Sequence, residues 1–179
     1  MTKSFGLYTI PRLTTTVSPA SPEKFYLSEE FKYVFAHCDS SSVLQVIRDN
    51  WDLYSKWMEE SSSGKDTSTL KASKENVRAS IGSMTVKCRR GTSVLRDTVL
   101  PGLDREMDEN PCVRGLLIKD PQKPQSRILR RFGVIVDRGL KYYLRCLQAI
   151  QGSNASKHTI AHIYEKIQSE YDNNEQLIW

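Results

Sequence analysis

Cysteine is scarce in this sequence, with four residues among 179, and no two of them are spaced as a CxxC pair. The lack of paired spacing argues against a zinc-ribbon type of metal site. It also favours free thiols in a reducing compartment, and a disulfide framework is the less favoured alternative. The four residues are Cys38, Cys88, Cys112 and Cys146.

Long apolar runs are also missing. No stretch approaches the length needed to cross a bilayer, and residues 1–20 lack the apolar core of a signal peptide. We therefore expect neither a membrane span nor a secretory leader. The length, with 39% hydrophobic and 26% charged residues, is typical of one globular domain that buries a sizeable core.

The motifs of common enzymes are absent as well. No glycine-rich phosphate loop, GxSxG turn or HExxH helix occurs. His158 and His162 have the spacing of two metal ligands on one helix face, but the residues between them are Thr, Ile and Ala. Two histidines on a polar helix face are therefore the favoured interpretation. We expect a protein that is not an enzyme and that holds no cofactor and no metal ion.

Acidic residues are scarce in one part of the chain. Between Arg114 and Arg145, nine basic residues stand against only Asp120 and Asp137, which gives this segment a charge of +7. The whole chain carries +5, so all the other residues together sum to −2. The positive charge is local, and a local excess suits a polyanionic partner better than general solubility. The nine are Arg114, Lys119, Lys123, Arg127, Arg130, Arg131, Arg138, Lys141 and Arg145.

Most of these cations fall in the stretch SRILRRFGVIVDRGLKYYLRCLQAI, residues 126–150. If it forms one helix, from about 124 to 151, its six basic side chains share an arc of about 100° opposite an apolar face. A solvated face or an anionic membrane surface are alternatives. The apolar face is needed for the core of so short a chain, which favours sequence-tolerant binding of nucleic acid through phosphates.

The remaining pattern is mostly helical. Residues 1–24, with three prolines and many Ser and Thr, read as an extended arm before a single domain over 25–179. Ser28 and Asp39 read as helix N-caps, and SMTVKC alternates like a short strand. The predicted fold is an antiparallel helical bundle with a short strand segment. The predicted helices cover about 28–38, 39–60, 69–80, 92–107, 124–151 and a last one after 156. The fourth is expected to be bent or split at Pro101.

Three stretches resemble one protein family. SPEKFYLSEEF at 21–31, RGLLIKDPQKPQSRILRR at 114–131 and IYEKIQSEYDNNEQLIW at 163–179 are similar, in order and in short motifs, to the coat proteins of rod-shaped, tobamovirus-like plant RNA viruses. The resemblance is that of a distant member. It implies an antiparallel four-helix bundle whose subunits stack into a helical rod around single-stranded RNA.

The resemblance also implies roles for individual residues. Arg114 would match a phosphate-contacting arginine before a short strand, and Arg130 and Arg131 would match paired arginines at the start of an inner helix. The body of that helix, about Val134 to Arg138, would offer flat contacts to bases. An aromatic–Glu pair at the outer radius and acidic residues at subunit interfaces have possible counterparts, although a solvated acidic cluster is an equal alternative for the latter. These counterparts are Tyr164 with Glu165, and Asp104, Glu106, Asp108 and Asp120.

The leading interpretation is a structural coat protein that self-assembles on single-stranded viral RNA. It would reside in the virion and assemble in the host cytoplasm, with RNA and further copies of itself as partners and no membrane. The alternatives are a matrix or accessory protein of another RNA virus, which would bind nucleocapsid or anionic membrane, or a cellular helical adaptor with an acidic partner. The predicted RNA-binding residues are Arg114, Arg127, Arg130, Arg131, Val134, Asp137 and Arg138.

Overall fold

A computed structural model describes residues 10–18, 21–58, 68–110, 113–151 and 153–175. The chain divides into two compact units, Met1–Met84 and Thr85–Trp179, and its secondary structure is mostly helical. Among the described helices, none is long and apolar enough to span a membrane.

The first unit begins with a β-hairpin. Strands β1 (Thr14–Ser18) and β2 (Ser21–Leu27) pair antiparallel. Thr14 stands opposite Leu27, with a register irregularity between Thr16 and Ser18. The predicted arm thus pairs mainly with residues just beyond its predicted end, because Thr14–Thr16 stand opposite residues 25–27. Residues 1–9 and 19–20 of that arm lie outside the described residues.

Helix α1 (Glu29–His37) confirms the predicted N-cap. The Ser28 hydroxyl accepts a hydrogen bond from the Phe31 N–H at 3.0 Å, which satisfies one of the free donors of the first turn. Two acidic residues in that turn complement the helix dipole. Phe31 and Phe35 are buried, so this short helix is held by its cap and by packing.

The long helix predicted over 39–60 is two helices, α2 (Ser40–Asp49) and α3 (Trp51–Met58). Asp39 is the N-cap as predicted, but Asn50 interrupts the helix. The Asn50 side chain and backbone N–H both donate to the Val46 carbonyl, at 2.9 and 3.1 Å. The backbone bond is an ordinary helical one, and it is the added side-chain bond by which asparagine competes with a continuing helix. The last residues of the prediction, 59–60, lie outside the described part of the chain.

Helix α4 (Ser68–Gly82) confirms the helix predicted over 69–80. Val77 and Ile81 are buried on one face of it, as their spacing predicts. The helix packs against β2 and α3 and so completes the core of the first unit.

The second unit opens with a second hairpin, which confirms the strand predicted in SMTVKC. Strands β3 (Thr85–Lys87) and β4 (Thr92–Val94) pair antiparallel. Gly91 in the connection has φ +83°, a conformation that glycine adopts without strain.

The prediction of a helix over 92–107 is wrong. Its start is β4, a short 3₁₀ turn follows at Leu95–Asp97, and only α5 (Arg105–Glu109) is helical. Val99 bridges Gly115 on one side and Ile135 on the other. β-Branched residues favour such extended pairing, and Pro101 cannot donate a helical hydrogen bond.

The long basic helix predicted over 124–151 is also wrong. Pro124–Phe132 is a 3₁₀ segment that ends at Gly133, whose φ is +91°. The next residues are extended, because Ile135 exchanges backbone hydrogen bonds with Thr98 and Leu100. Helix α6 starts only after Gly139, at Leu140–Ile150. Gly133 and Gly139 lie at the two ends of the extended segment.

The core of the second unit lies around α6 and the last helix, α7 (Lys157–Glu175). The two helices pack against each other, and α7 confirms the last predicted helix. Ile163 is fully buried and Tyr164 is 56% exposed, so one face of α7 meets the core and another meets solvent. The buried core residues of α6 and α7 are Tyr142, Tyr143, Cys146, Ile150 and Ile163.

Candidate nucleic-acid interface

The nine basic residues counted between Arg114 and Arg145 all belong to the second unit. Eight of them are exposed, and Arg145 is partly buried. The sequence predicted six of them, from Arg127 to Arg145, as a stripe on one helix, but the structure places these six on several kinds of backbone. Arg127, Arg130 and Arg131 lie on the 3₁₀ segment, and Arg138 follows the extended segment. The charge excess thus stays at the surface although the helix does not exist.

Asp137 brings two of the predicted arginines together. The Arg130 guanidinium forms an ion pair with Asp137 Oδ2, and Arg127 Nε lies 3.8 Å from Asp137 Oδ1. The Asp137 side chain is 43% exposed, so the pairs are formed at the surface, where such contacts contribute little stability. Their main effect is positional, because one carboxylate holds two guanidinium groups close to each other.

A cleft of about 530 Å³ lies beside this cluster. Three predicted site residues line it, namely Arg127, Asp137 and Arg138, together with Lys123. Lys123 is also 3.2 Å from Asp120. The rest of the lining is formed by Leu100, Leu103, Pro121, Gln122, Pro124 and Val136.

The Gln122 side chain fixes one wall of the cleft. Its amide nitrogen donates to the Pro101 carbonyl at 2.7 Å. This packing needs Gly102, because a Cβ there would lie 2.0 Å from that nitrogen. The cleft therefore combines positive charge, apolar walls and a fixed amide.

The prediction for Val134 is wrong. Its side chain is 1% exposed, so it cannot offer a flat contact to a base. The neighbouring Ile135 and Val136 are also buried. All three lie on the extended segment that the Val99 bridge draws into the core of the second unit.

Arg114 lies in a second basic group, next to two arginines that the sequence analysis did not select. Arg114 Nη1 donates to the Arg90 carbonyl at 3.0 Å, and the Arg89 backbone N–H donates to the Gly115 carbonyl at 2.9 Å. Arg89 and Arg90 are exposed in the connection between β3 and β4. The two adjacent arginines in the sequence CRRG indicate a basic group, but they lie outside the segment from Arg114 to Arg145 that stands out by its net charge. Neither Arg114 nor Arg131 lines the cleft.

The acidic residues near 104–109 have structural partners. Asp104 Oδ1 accepts from the Met107 N–H at 3.3 Å, which caps α5, and Asp104 Oδ2 accepts from the Tyr143 hydroxyl at 3.2 Å. Asp108 Oδ2 accepts from the Gly102 N–H. The Glu106 side chain lies outside the described residues.

His158 and His162, which the sequence predicts on one polar helix face, differ in their burial. His158 is exposed, whereas His162 is partly buried, with Nε2 at 4.0 Å from Asp104 Oδ2. Within the described ranges, no group of three His, Cys, Asp or Glu side chains is arranged to hold a metal ion. Cys38, Cys88 and Cys146 are free thiols, as predicted, and Cys112 lies outside the described residues.

Burial makes part of the second unit sensitive to alkaline pH. Burial, with Asp104 nearby, raises the pKa of Tyr143 to about 12 from its ordinary 10.0. Burial likewise raises the pKa of Cys146 to about 12 from 9.0. A raised folded-state pKa means that the unfolded chain loses the proton first as pH rises. The stability that these groups contribute is therefore complete below about pH 9 and lost progressively towards about pH 12.

We expect Tyr143→Phe to flatten this alkaline loss of stability, because phenylalanine ionises in neither state. At neutral pH the variant should be less stable by about 1 kcal/mol, from the lost hydrogen bond to Asp104. Denaturant midpoints measured from neutral to alkaline pH test this. Tyr164→Phe, at an exposed position on α7, is the matched control and should follow the wild type. Identical slopes in both variants would contradict the assignment.

No known protein family, curated protein or solved structure matches this chain.

Proposed function

We propose that this chain is a structural protein that binds single-stranded RNA through the basic surface of its second unit and self-assembles on it, as a viral coat protein does. The observation that supports this most strongly is the exposure of the cations between Arg114 and Arg145. The charge excess alone identifies these cations in the sequence, and they are exposed although the predicted helix is absent.

The composition of this surface fits a phosphate backbone. Asp120 and Asp137 are the only acidic residues in the segment from Arg114 to Arg145. Arg89 and Arg90 add further positive charge beside Arg114. Guanidinium groups match phosphate oxygens with two parallel hydrogen bonds. Binding through phosphates carries no base information and weakens steeply with salt. The proposed binding is therefore tolerant of sequence and strongly dependent on ionic strength.

Exposed aromatic residues support the self-assembly part of the proposal. Tyr164 and Tyr171 are 56% and 53% exposed on α7, seven residues apart and so on the same side of the helix. Tyr26 and Tyr33 are exposed on the first unit. Aromatic residues are enriched in protein interfaces, and different patches on one chain can build a filament by heterologous contacts.

The antiparallel four-helix bundle of the tobamovirus-like coat proteins stays a prediction, and the long inner helix on which it depended is replaced by a 3₁₀ segment, an extended segment and α6. A role in the virion and the absence of catalytic activity also stay predictions.

Negative-stain electron microscopy of the purified protein, with and without single-stranded RNA at low salt, tests the proposal. We expect rods or stacked discs that grow with protein concentration, and a constant length of RNA protected from nuclease per subunit. Monodisperse particles under all conditions would contradict it. In that case, sedimentation with anionic liposomes would favour a matrix protein, and indifference to both RNA and lipid would favour an adaptor.

A further inference from the structure

We propose that the cleft beside Asp137 holds one ribonucleotide of the bound strand, with its phosphate on Arg127 and Arg138 and its ribose 2′-hydroxyl donating to the Asp137 carboxylate. This inference rests on the proposed function and deepens it, because it makes Asp137 the residue that distinguishes RNA from DNA.

The size and walls of the cleft suit a single nucleotide. Its volume of about 530 Å³ lies within the range of small-molecule sites, about 300–1,000 Å³. Pro121, Pro124 and Leu103 supply apolar lining, which can cover the face of a base without reading its edge. A surface that only followed the phosphate backbone would need no such concavity.

The cations of the cleft place the phosphate. Lys123 Nζ forms an ion pair with Asp120 Oδ2 at 3.2 Å, and Arg127 Nε lies 3.8 Å from Asp137 Oδ1. Arg138 is exposed and makes no ion pair with an acid of the described residues. Each guanidinium has five donors, so Arg127 can keep its contact with Asp137 and still bind an anion. Arg138 and Arg127 are thus the two groups of the cleft best suited to a phosphate.

Asp137 is unexpected in a site that only neutralises phosphates. A carboxylate beside a bound phosphate lowers the affinity of the site for the ligand, unless the ligand also brings a hydrogen-bond donor. Each carboxylate oxygen has two acceptor positions, and the contacts with Arg130 and Arg127 do not use all four. The side chain is 43% exposed and lines the cleft. The 2′-hydroxyl is the donor that RNA has and DNA lacks.

The test compares labelled oligouridine with oligodeoxyuridine of the same length, both too short to bridge subunits, by fluorescence anisotropy. We expect the wild type to prefer the ribose form about tenfold, which corresponds to one charged hydrogen bond. In Asp137→Ala the ratio of the two affinities should fall to about one. The affinity for the deoxyribose form should rise in this variant, because Arg127 and Arg130 lose their acidic partner.

Asp97→Ala is the matched control. Asp97 is also 43% exposed and pairs with one arginine, Arg145, at 2.9 Å, but it does not line the cleft. Its removal should strengthen binding of both oligomers and leave their ratio unchanged. Asp137→Asn, which keeps the shape of the side chain and one acceptor oxygen, checks that the result does not come from a collapsed cleft. It should retain part of the preference.

The outcomes separate this inference from the proposed function. Equal binding of the two oligomers by the wild type, or an unchanged ratio in Asp137→Ala, would overturn the inference, while rods on long RNA would leave the function standing. Binding of neither oligomer, together with an absence of rods, would overturn both. Displacement of the oligomers by an acidic peptide that binds the cleft more tightly would assign it to a protein partner and also overturn the inference.

Discussion

Replacing Arg130 and Arg131 together by alanine should lower the affinity for single-stranded RNA about 25-fold at about 0.1 M salt. Each phosphate contact with a single strand contributes about 0.7 to the slope of log affinity against log salt. Two lost contacts should reduce that slope by about 1.4. Both side chains are exposed, so the folded structure should be retained.

The physical reason lies in the partners of these residues. Arg130 is held by Asp137, and its loss would expose the carboxylate to the incoming phosphate. Removal of a cation and exposure of an acid act in the same direction. The measurement is a salt titration of binding to a homopolymer RNA, with helix content checked by circular dichroism.

The control for this double substitution should remove the same charge elsewhere in the second unit. Lys157→Ala with Lys166→Ala does so on α7, outside the basic segment. It should change the affinity only a few-fold and leave the slope nearly unchanged. Arg130→Lys with Arg131→Lys should recover the slope but not the full affinity, because an ammonium group cannot form the paired hydrogen bonds of a guanidinium. An equal loss in the control would contradict a localised site.

Local signals predicted the capped and periodic helices well. Ser28 and Asp39 cap α1 and α2, and the spacing of apolar residues identified α4 and α7. These features depend on neighbours within one or two turns, so the sequence contains the necessary information. The break at Asn50 was missed because the apolar stripe continues across it, with Ile47 and Tyr54 both buried.

Long-range pairing explains the errors in the second unit. Nothing in the order of residues shows that Val99 will bridge both Gly115 and Ile135. Without those partners, residues 134–136 look like the apolar face of a helix. Three consecutive β-branched residues between two glycines were the signal for an extended segment.

The candidate site was predictable in its charges and unpredictable in its geometry. The exposure of the arginines follows from their chemistry, because such groups are rarely buried without partners. Their arrangement around the cleft requires Pro101, Gln122 and Asp137 to meet, and these residues are far apart in sequence. The bridge between Val99 and Ile135 draws the neighbouring Val134 into the core, and that long-range contact is not visible in the sequence that predicted Val134 as an RNA contact.

Gly133→Ala should destabilise the second unit by about 3 kcal/mol and weaken RNA binding at the same time. Gly133 ends the 3₁₀ segment with φ +91°, and an added Cβ would lie 2.7 Å from the Arg96 Cβ and 3.1 Å from its Cα. The first distance is shorter than Cβ atoms tolerate and the second is tighter than most Cβ contacts, so the backbone would have to move. Such a movement would displace Arg130 and Arg131, which lie three and two residues before Gly133.

Comparison with Gly91→Ala separates the cost of the backbone conformation from the cost of steric overlap. Gly91 has nearly the same backbone angle, φ +83°, but no atom lies within 4 Å of its added Cβ. It should therefore cost only the conformational penalty, about 1 kcal/mol. Denaturant unfolding of both variants, followed by circular dichroism, gives the comparison. Equal losses would mean that Gly133 is not packed against Arg96. A larger loss at Gly133 with normal RNA binding would mean that the positions of Arg130 and Arg131 do not depend on this turn.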